Sequence, residues 1–266
     1  MLKRFHLHNI VRFFIRILIS KMDFLAPALI SDINQFLGKG DGSLSTKREA
    51  QQALSFLSSN ELANAIVLDV GANIGSYTQA ILDELDTVCI YAFEPSSAAR
   101  KNLIAAHGLN PKVIVEPFAL AHKESQATLY SDHPGSGLAS LTKRQLDYLD
   151  ISFEFQETVE ALTLDNWAAQ NHVIPILIKL DVEGHELDVL RGGKQTINSA
   201  RVVQFEFGGC NIDTRTFFRD FWIFFDEAGF ILYRITREGP ILIPRYLEED
   251  ECFKTTNYLA VKKTLL

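Results

Sequence analysis

The stretch Asp181-Val182-Glu183-Gly184-His185-Glu186 sets three carboxylates and one imidazole within six residues. Such a cluster suits removal of a proton from a weak acid such as an alcohol. A histidine can take a proton near neutral pH, and carboxylates can hold a divalent cation that acidifies a bound hydroxyl. Asp181, Glu183 and His185 are therefore the catalytic candidates. Glu206, ending the run VVQFEF, adds a carboxylate on what should be the neighbouring strand, so Asp181 and Glu206 are the candidate ligands for a Mg²⁺ or Mn²⁺ ion, with His185 as a third. Glu186 and Asp188 fall in the first turn of the following helix, where acids complement the dipole, and are read as structural.

A second constellation lies in VLDVGANIGSYTQ. Gly71 and Gly75 bracket a strand-to-helix turn at which a side chain would obstruct a nucleotide-like ligand. The spacing is GxxxG with Asn73 in the middle, neither the GxGxxG of a dinucleotide site nor a phosphate loop. Asp69 adds a negative charge that would repel phosphate and could hold a cationic amino group. In the Phe93-Glu94-Pro95 step, Glu94 ends the next strand about 20 residues on, placed to accept the hydroxyls of a ribose. Together these describe a pocket for a nucleoside that carries an amino acid, and S-adenosylmethionine fits. A nicotinamide-dependent oxidoreductase is the alternative that GxxxG disfavours, and an inactive S-adenosylmethionine-binding regulatory module is the other.

Two further stretches point to the acceptor. After Glu206, the turn Gly208-Gly209 leads to Asn211, Asp213 and Arg215, good partners for sugar hydroxyls, and then to an aromatic-rich helix whose stripe is read as core. The polar segment SDHPGSGLASLTKRQ, with Ser136, Gly137 and Ser140, is long enough to act as a lid.

The elements that must position these residues alternate. Buried-strand runs at 66–70, 88–93, 113–115, 175–182 and 202–207 are interleaved with helices at 75–85, 96–107, 165–171, 185–197 and 213–228. Residues 127–130 and 158–163 read as an antiparallel insertion, and 230–235 and 258–261 as final strands. The expectation is an α/β Rossmann-like, doubly wound, mostly parallel sheet with helices on both faces. No internal repeat and no Gly/Ser-rich or Pro-rich linker divides it.

VLDVGANIGSYT, the FEP step and above all IKLDVEGHELDVLRGG resemble the FkbM-type S-adenosylmethionine-dependent methyltransferases, from about Ile66 to Val261. The resemblance implies a seven-stranded methyltransferase sheet with an antiparallel last strand, and O-methylation of a hydroxyl on a sugar, glycan or natural product. It also implies that Asp69, Gly71, Asn73 and Gly75 line the methionine side of the cofactor, that Glu94 meets the ribose, and that Phe118, Ala119 and Leu120 cover the adenine. Asp181 and Glu183 would face the transferred methyl. His185 stands at a position where the family often carries a small residue.

Composition bounds the reading. The chain has 266 residues, 47% of them apolar, with 26 Lys and Arg against 33 Asp and Glu for a net charge of −7. That is a globular composition, and its charge argues against bulk nucleic-acid binding. Cys89, Cys210 and Cys252 are odd in number and widely spaced, which suggests neither disulfides nor a thiolate metal site and favours a cytoplasmic setting. Residues 1–21 carry five basic residues and no acid. On a helix, Leu7, Ile10, Val11, Phe14 and Leu18 share one stripe opposite Arg12 and Arg16, the pattern of an amphipathic basic helix. Arg12 and Arg16 leave no uninterrupted spanning segment and no signal-peptide core. Residues 1–45 are thus expected to form a basic helix and linker for self-association or for the inner membrane face, and 46–266 the methyltransferase domain.

Overall fold

Among the described residues, eleven short strands carry the β-branched and aromatic runs: β1 (Ala65–Val70), β2 (Val88–Phe93), β3 (Val113–Glu116), β4 (Ala119–Leu120), β5 (Ser125–Ser131), β6 (Phe155–Leu162), β7 (Leu177–Leu180), β8 (Val202–Phe207), β9 (Phe230–Arg234), β10 (Ile241–Ile243) and β11 (Thr256–Lys262). The computed structural model describes residues 12, 15–16, 26–40 and 44–265. Eight strands form one sheet in the order β10-β9-β11-β8-β7-β1-β2-β3. β3, β2, β1, β7 and β8 pair in parallel, and β11 runs antiparallel to both β8 and β9. The seven expected strands are present with their antiparallel last member, and β10 adds an eighth at the edge, antiparallel to β9.

Both faces of this sheet are buried, for a reason visible in β1. Leu68 and Val70 pack into a cluster with Trp167, Phe205 and Phe221, while Val67 enters a separate cluster with Tyr77, Ile81 and Ile90. Successive side chains of a strand point to opposite faces, so a run with no polar alternation needs helices on each side. The aromatic helix Phe218–Glu227 covers one face: Phe221 and Phe225 stack on Phe205 at 5.0 and 5.1 Å between ring centroids. Each fully buried Phe contributes on the order of 1.5–3 kcal/mol through lost water contact. The stripe is core, as its spacing predicts.

Two expected helices are interrupted. The one expected at 185–197 is the helices Glu186–Gly192 and Lys194–Ser199, broken at Gly193. Close packing explains the small residues there: a Cβ on Gly192 would lie 2.1 Å from the Ala121 carbonyl oxygen, and one on Gly193 2.7 Å from the Leu164 side chain. The helix expected at 213–228 is divided into Cys210–Thr214 and Phe218–Glu227. Asn211 closes the break, accepting from the Gly208 N–H at 2.8 Å and donating to Thr216 Oγ1 at 2.8 Å. Arg215 takes up a left-handed conformation there, with φ of 55°.

The insertion forms a second sheet, β4-β6-β5, with β5 and β6 antiparallel as expected. An isolated bridge between Tyr130 and Ser140 folds the following loop back onto β5. The proposed head of residues 1–21 lies outside the described residues except for Arg12, Ile15 and Arg16, which are helical and exposed. Contacts cross the boundary expected at residue 46: the Gly40 N–H donates to Thr256 Oγ1 at 2.9 Å, and Leu44 joins a core cluster. No described helix is long and apolar enough to cross a membrane.

Candidate active site

Strand order reverses between β1 and β7, and the crevice outside the carboxyl ends of the strands at such a point is where sheets of this type bind ligands. A pocket opens there with about 800 Å³ of empty space, its mouth included. Gly71, Asn73, Glu94, Phe118, Ala119, Asp181, Glu183, His185 and Glu206 all line it, so four separate strand ends and the loop before β4 deliver expected residues to one place.

The glycine turn is built by backbone geometry. Gly71, Asn73 and Gly75 have φ of 79°, 49° and 92°. A Cβ on Gly71 would fall 1.8 Å from the Asp181 carbonyl oxygen, so this residue must be glycine for the ends of β1 and β7 to meet, apart from any ligand. Gly75 does not line the pocket; a Cβ there would meet Leu103 and His107 at 2.6 to 2.8 Å, so it serves helix packing. Asp69 also lies behind the turn. It is fully buried, accepts a 2.7 Å hydrogen bond from Thr78 Oγ1, and stands 3.7 Å from Lys179 Nζ. The structure therefore places Asp69 and Gly75 in the turn's support, away from the pocket lining.

Glu94 holds the turn from β2. Its Oε2 accepts from the Asn73 N–H and its Oε1 from the Ser96 N–H, each at 2.8 Å. Burial pushes its carboxyl up to about 7, partly offset by those two donors. Beside it, Asn73 Oδ1 is buried with no hydrogen-bond partner among the described residues. An acceptor of this kind in a pocket wall is costly unless a ligand or water satisfies it. The pocket thus offers Glu94 and Asn73 oxygens to hydroxyl or amino donors, against the apolar walls of Phe93, Phe118 and Leu129.

On the other side stands the DVEGHE turn. Glu183 has φ of 52°, an uncommon conformation for a side-chain-bearing residue and one found at sites that are held by their surroundings. Glu186 holds this turn: fully buried, it accepts from the N–H groups of Val182 at 2.9 Å and Gly184 at 3.2 Å. Its expected structural role takes this form. Burial, reinforced by Asp181, raises the Glu183 carboxyl to about 8 and that of Glu206 well above the usual carboxylate range.

Two cationic residues that were not among the candidates, Lys179 and Arg144, complete the site together with Ser140 of the expected lid. Lys179 Nζ lies 3.0 Å from Asp181 Oδ2. Arg144, from the insertion, reaches Glu183 Oε2 at 2.6 Å and Asp213 Oδ2 at 3.3 Å. Ser140 Oγ donates to the Glu183 carbonyl at 2.8 Å. A lysine inside the otherwise apolar run ILIKL is a detectable anomaly, since a buried ammonium needs carboxylates around it. Arg144 sits among ordinary loop residues and carries no such signal.

The expected acceptor-binding set does not converge. Glu206 lines the pocket; Asn211 is buried in its own turn, Asp213 is engaged by Arg144, and Arg215 is exposed. Asp181, Glu183 and Glu206 come together, each offering a carboxylate oxygen within 4.8 Å of the others. The Glu206 side chain makes no hydrogen bond among the described residues, whereas Asp181 and Glu183 already face Lys179 and Arg144.

A mostly parallel α/β sheet whose pocket joins a glycine turn, an acid after the second strand and a carboxylate-rich turn after the fourth parallel strand defines a doubly wound protein that binds a nucleotide-like ligand at its strand ends. The family model for the methyltransferase FkbM domain matches residues 69–232, more than half of the chain, and the protein belongs to that family. Among curated proteins it is 25% identical over 160 residues to the 2-O-methyltransferase NoeI of Sinorhizobium fredii, covering 55% of this chain and 65% of that protein. It is 26% identical over 157 residues to the hexuronic acid methyltransferase AglP of Haloferax volcanii, covering 59% and 61%. The chain thus spans just under two thirds of either relative. Among solved structures, human methyltransferase-like protein 13 in complex with SAH aligns over 82% of each chain at 15% identity and a TM-score of 0.44.

Proposed function

We propose that this protein is an S-adenosylmethionine-dependent O-methyltransferase acting on a hydroxyl of a sugar or glycan. The observation that carries the reading is the convergence of the Gly71–Asn73 turn, Glu94 and the Asp181–Glu183 turn on one pocket. Family membership supports it, as do the names of the two curated relatives, one a 2-O-methyltransferase and the other a hexuronic acid methyltransferase.

The residues present fit the cofactor. The unpartnered Asn73 Oδ1 and the Glu94 carboxylate suit its amino and hydroxyl donors, and Phe118, Ala119 and Leu120 suit an adenine face. When bound, S-adenosylmethionine supplies an electrophilic methyl group. What the protein must add is alignment of the acceptor oxygen and removal of its proton as the bond forms. His185, Asp181 and Glu183 all line the pocket and are the groups for that task.

A Mg²⁺ or Mn²⁺ ion on Asp181, Glu183 and Glu206 is the competing arrangement. Asp181 and Glu183 each already give one oxygen to Lys179 or Arg144, so an ion would share both carboxylates with a cation. Proton acceptance by a side chain is the favoured route.

Residues 1–21 are proposed to place the enzyme against an anionic membrane face in the cytoplasm. The next described helix, Ala26–Phe36, exposes Leu29, Ile30, Ile33 and Phe36, an apolar face that such a surface could take up.

Calorimetric titration of the full chain with S-adenosylmethionine, S-adenosylhomocysteine and NAD tests the reading. Binding of both sulfur compounds and not of NAD is expected. Failure of either sulfur compound to bind removes the proposed function, and binding of NAD alone points to an oxidoreductase.

A further inference from the structure

His185 is held at both ring nitrogens. Its Nδ1 lies 2.9 Å from Asp188 Oδ2, and its Nε2 lies 3.0 Å from Thr142 Oγ1 in the insertion. An imidazole bonded on both sides presents a defined tautomer, and the partners decide which. An ionised carboxylate can only accept, so the nitrogen facing Asp188 must carry the hydrogen. The neutral ring then has its lone pair at Nε2, and the Thr142 hydroxyl must donate to it.

Asp188 is suited to this task. Its hydrogen bond from His185 holds its carboxyl below the usual range, with burial opposing and His122 and Arg191 assisting. His122 Nδ1 stands 3.6 Å and Arg191 Nη1 3.8 Å from the other oxygen, Oδ1. Asp188 is therefore anchored on one oxygen while it fixes the imidazole with the other.

Thr142 matters for what it occupies. It follows Ser140 and Leu141, both in the pocket wall, and is a hydroxyl placed against the one nitrogen able to take a proton.

We propose that Asp188 is a positioning residue that fixes His185 as the Nδ1–H tautomer, and that the Thr142 hydroxyl holds at Nε2 the place the acceptor hydroxyl takes during catalysis. The inference rests on the methyl-transfer reading above for its chemical purpose. In that step the acceptor O–H bond breaks and its proton passes to Nε2. A lone pair of the oxygen forms the bond to the methyl carbon, and the electrons of the methyl–sulfur bond return to sulfur. The proton then leaves His185 for water. With the other tautomer Nε2 would carry a hydrogen and could accept nothing.

The test needs no acceptor. Long-range ¹H–¹⁵N spectra of the uniformly ¹⁵N-labelled full chain, with His185 assigned by loss of its signals in His185→Gln, report which nitrogen carries the hydrogen in the neutral ring. The expected result is Nδ1–H in the wild type and loss of that preference in Asp188→Asn, with Asp188→Glu restoring it. Thr142→Val should expose Nε2 and speed its modification by diethyl pyrocarbonate, read by peptide mass spectrometry, by about fivefold, the equivalent of one ordinary hydrogen bond. An Nε2–H tautomer in the wild type overturns the inference, as does an Asp188→Asn variant that keeps the wild-type pattern. An unchanged modification rate in Thr142→Val overturns the part assigned to Thr142. S-adenosylhomocysteine titration of the same samples separates the two readings: absent binding to the wild type sinks the methyltransferase assignment and leaves the tautomer result standing.

Discussion

The Lys179 ammonium stands 3.0 Å from the Asp181 carboxylate and 3.7 Å from that of Asp69, so one buried cation serves both the site and the turn behind it. Burial alone would lower its pKa; Asp181 and Asp69 outweigh that and hold it above the usual lysine range. Lys179→Met keeps the length and apolar stem and removes the charge. Loss of one partner of a buried pair costs about 3–5 kcal/mol, which a denaturant titration would register as a lower midpoint. An unchanged midpoint would show that Asp69 is stable without its cation.

Asp181 faces the pocket with a third of its side chain exposed, while its neighbour Lys179 is almost wholly covered. Asp181→Ala is expected to reduce methyl transfer to a sugar acceptor by at least about 100-fold, the scale of a lost acid–base group, with a much smaller effect on S-adenosylhomocysteine affinity. Unchanged turnover would take Asp181 out of the chemistry. Activity that persists in EDTA would support proton transfer to a side chain, and activity restored only by Mg²⁺ or Mn²⁺ would support the ion.

Arg144 ties the insertion to both Glu183 and Asp213. In Arg144→Ala these two contacts are lost together, and the segment should open more often. Cleavage within residues 132–154 by a dilute protease should accelerate about tenfold, as local opening becomes easier by ~1.4 kcal/mol. Equal cleavage rates would mean that the bridge to β5 and the bonds of Ser140 and Thr142 to the DVEGHE turn hold the segment without Arg144.

Glu49 is a buried carboxylate on the helix Thr46–Leu54, bonded by Gln204 and Asn257. Burial raises its carboxyl from an ordinary 4.5 to about 7. Between those values the folded chain keeps a proton the unfolded chain has released, so the stability it lends below pH 4.5 is lost as pH rises through 7. The loss amounts to about 3 kcal/mol. Glu49→Gln should flatten the decline in thermal midpoint between pH 5 and 8 and raise the midpoint at the alkaline end; a decline as steep as in the wild type would assign the titration to Glu94, Glu183 or Glu186 instead.

For the basic head, deletion of residues 1–21 is expected to leave S-adenosylhomocysteine binding intact and to abolish co-sedimentation with vesicles containing phosphatidylglycerol. Binding by the full chain should weaken in high salt, because surface charge attraction is screened. Equal sedimentation of both chains would remove the membrane role, and loss of folding in the truncated chain would show that the head belongs to the core.

Much of this architecture follows from local pattern. The runs at β1, β2, β7 and β8 admit only strands covered on both faces, and their alternation with helices dictates a parallel sheet with a crevice at the strand ends. The candidates at those ends, Gly71, Asn73, Glu94, Asp181, Glu183, His185 and Glu206, reach one pocket because chain direction in a parallel sheet places them there. Asp69 and Gly75 belong to the same motif and lie behind it, Asp69 turned to Thr78 and Lys179 and Gly75 packed against Leu103 and His107.

Residue spacing could not set contacts between segments distant in sequence. The engagement of Asp213 by Arg144 and the approach of Thr142 to His185 depend on how the insertion folds back, and loop residues carry no periodicity that foretells it. Asp188 shows the limit most plainly. Its place in a first helical turn suits the dipole, which is reason enough for an acid there, and its second use emerges only when the His185 ring turns toward it. Local sequence determined the elements and the pocket's address; the pairing of charges and the orientation of the imidazole were decided by packing, because burial makes each polar atom depend on whichever distant partner the fold delivers.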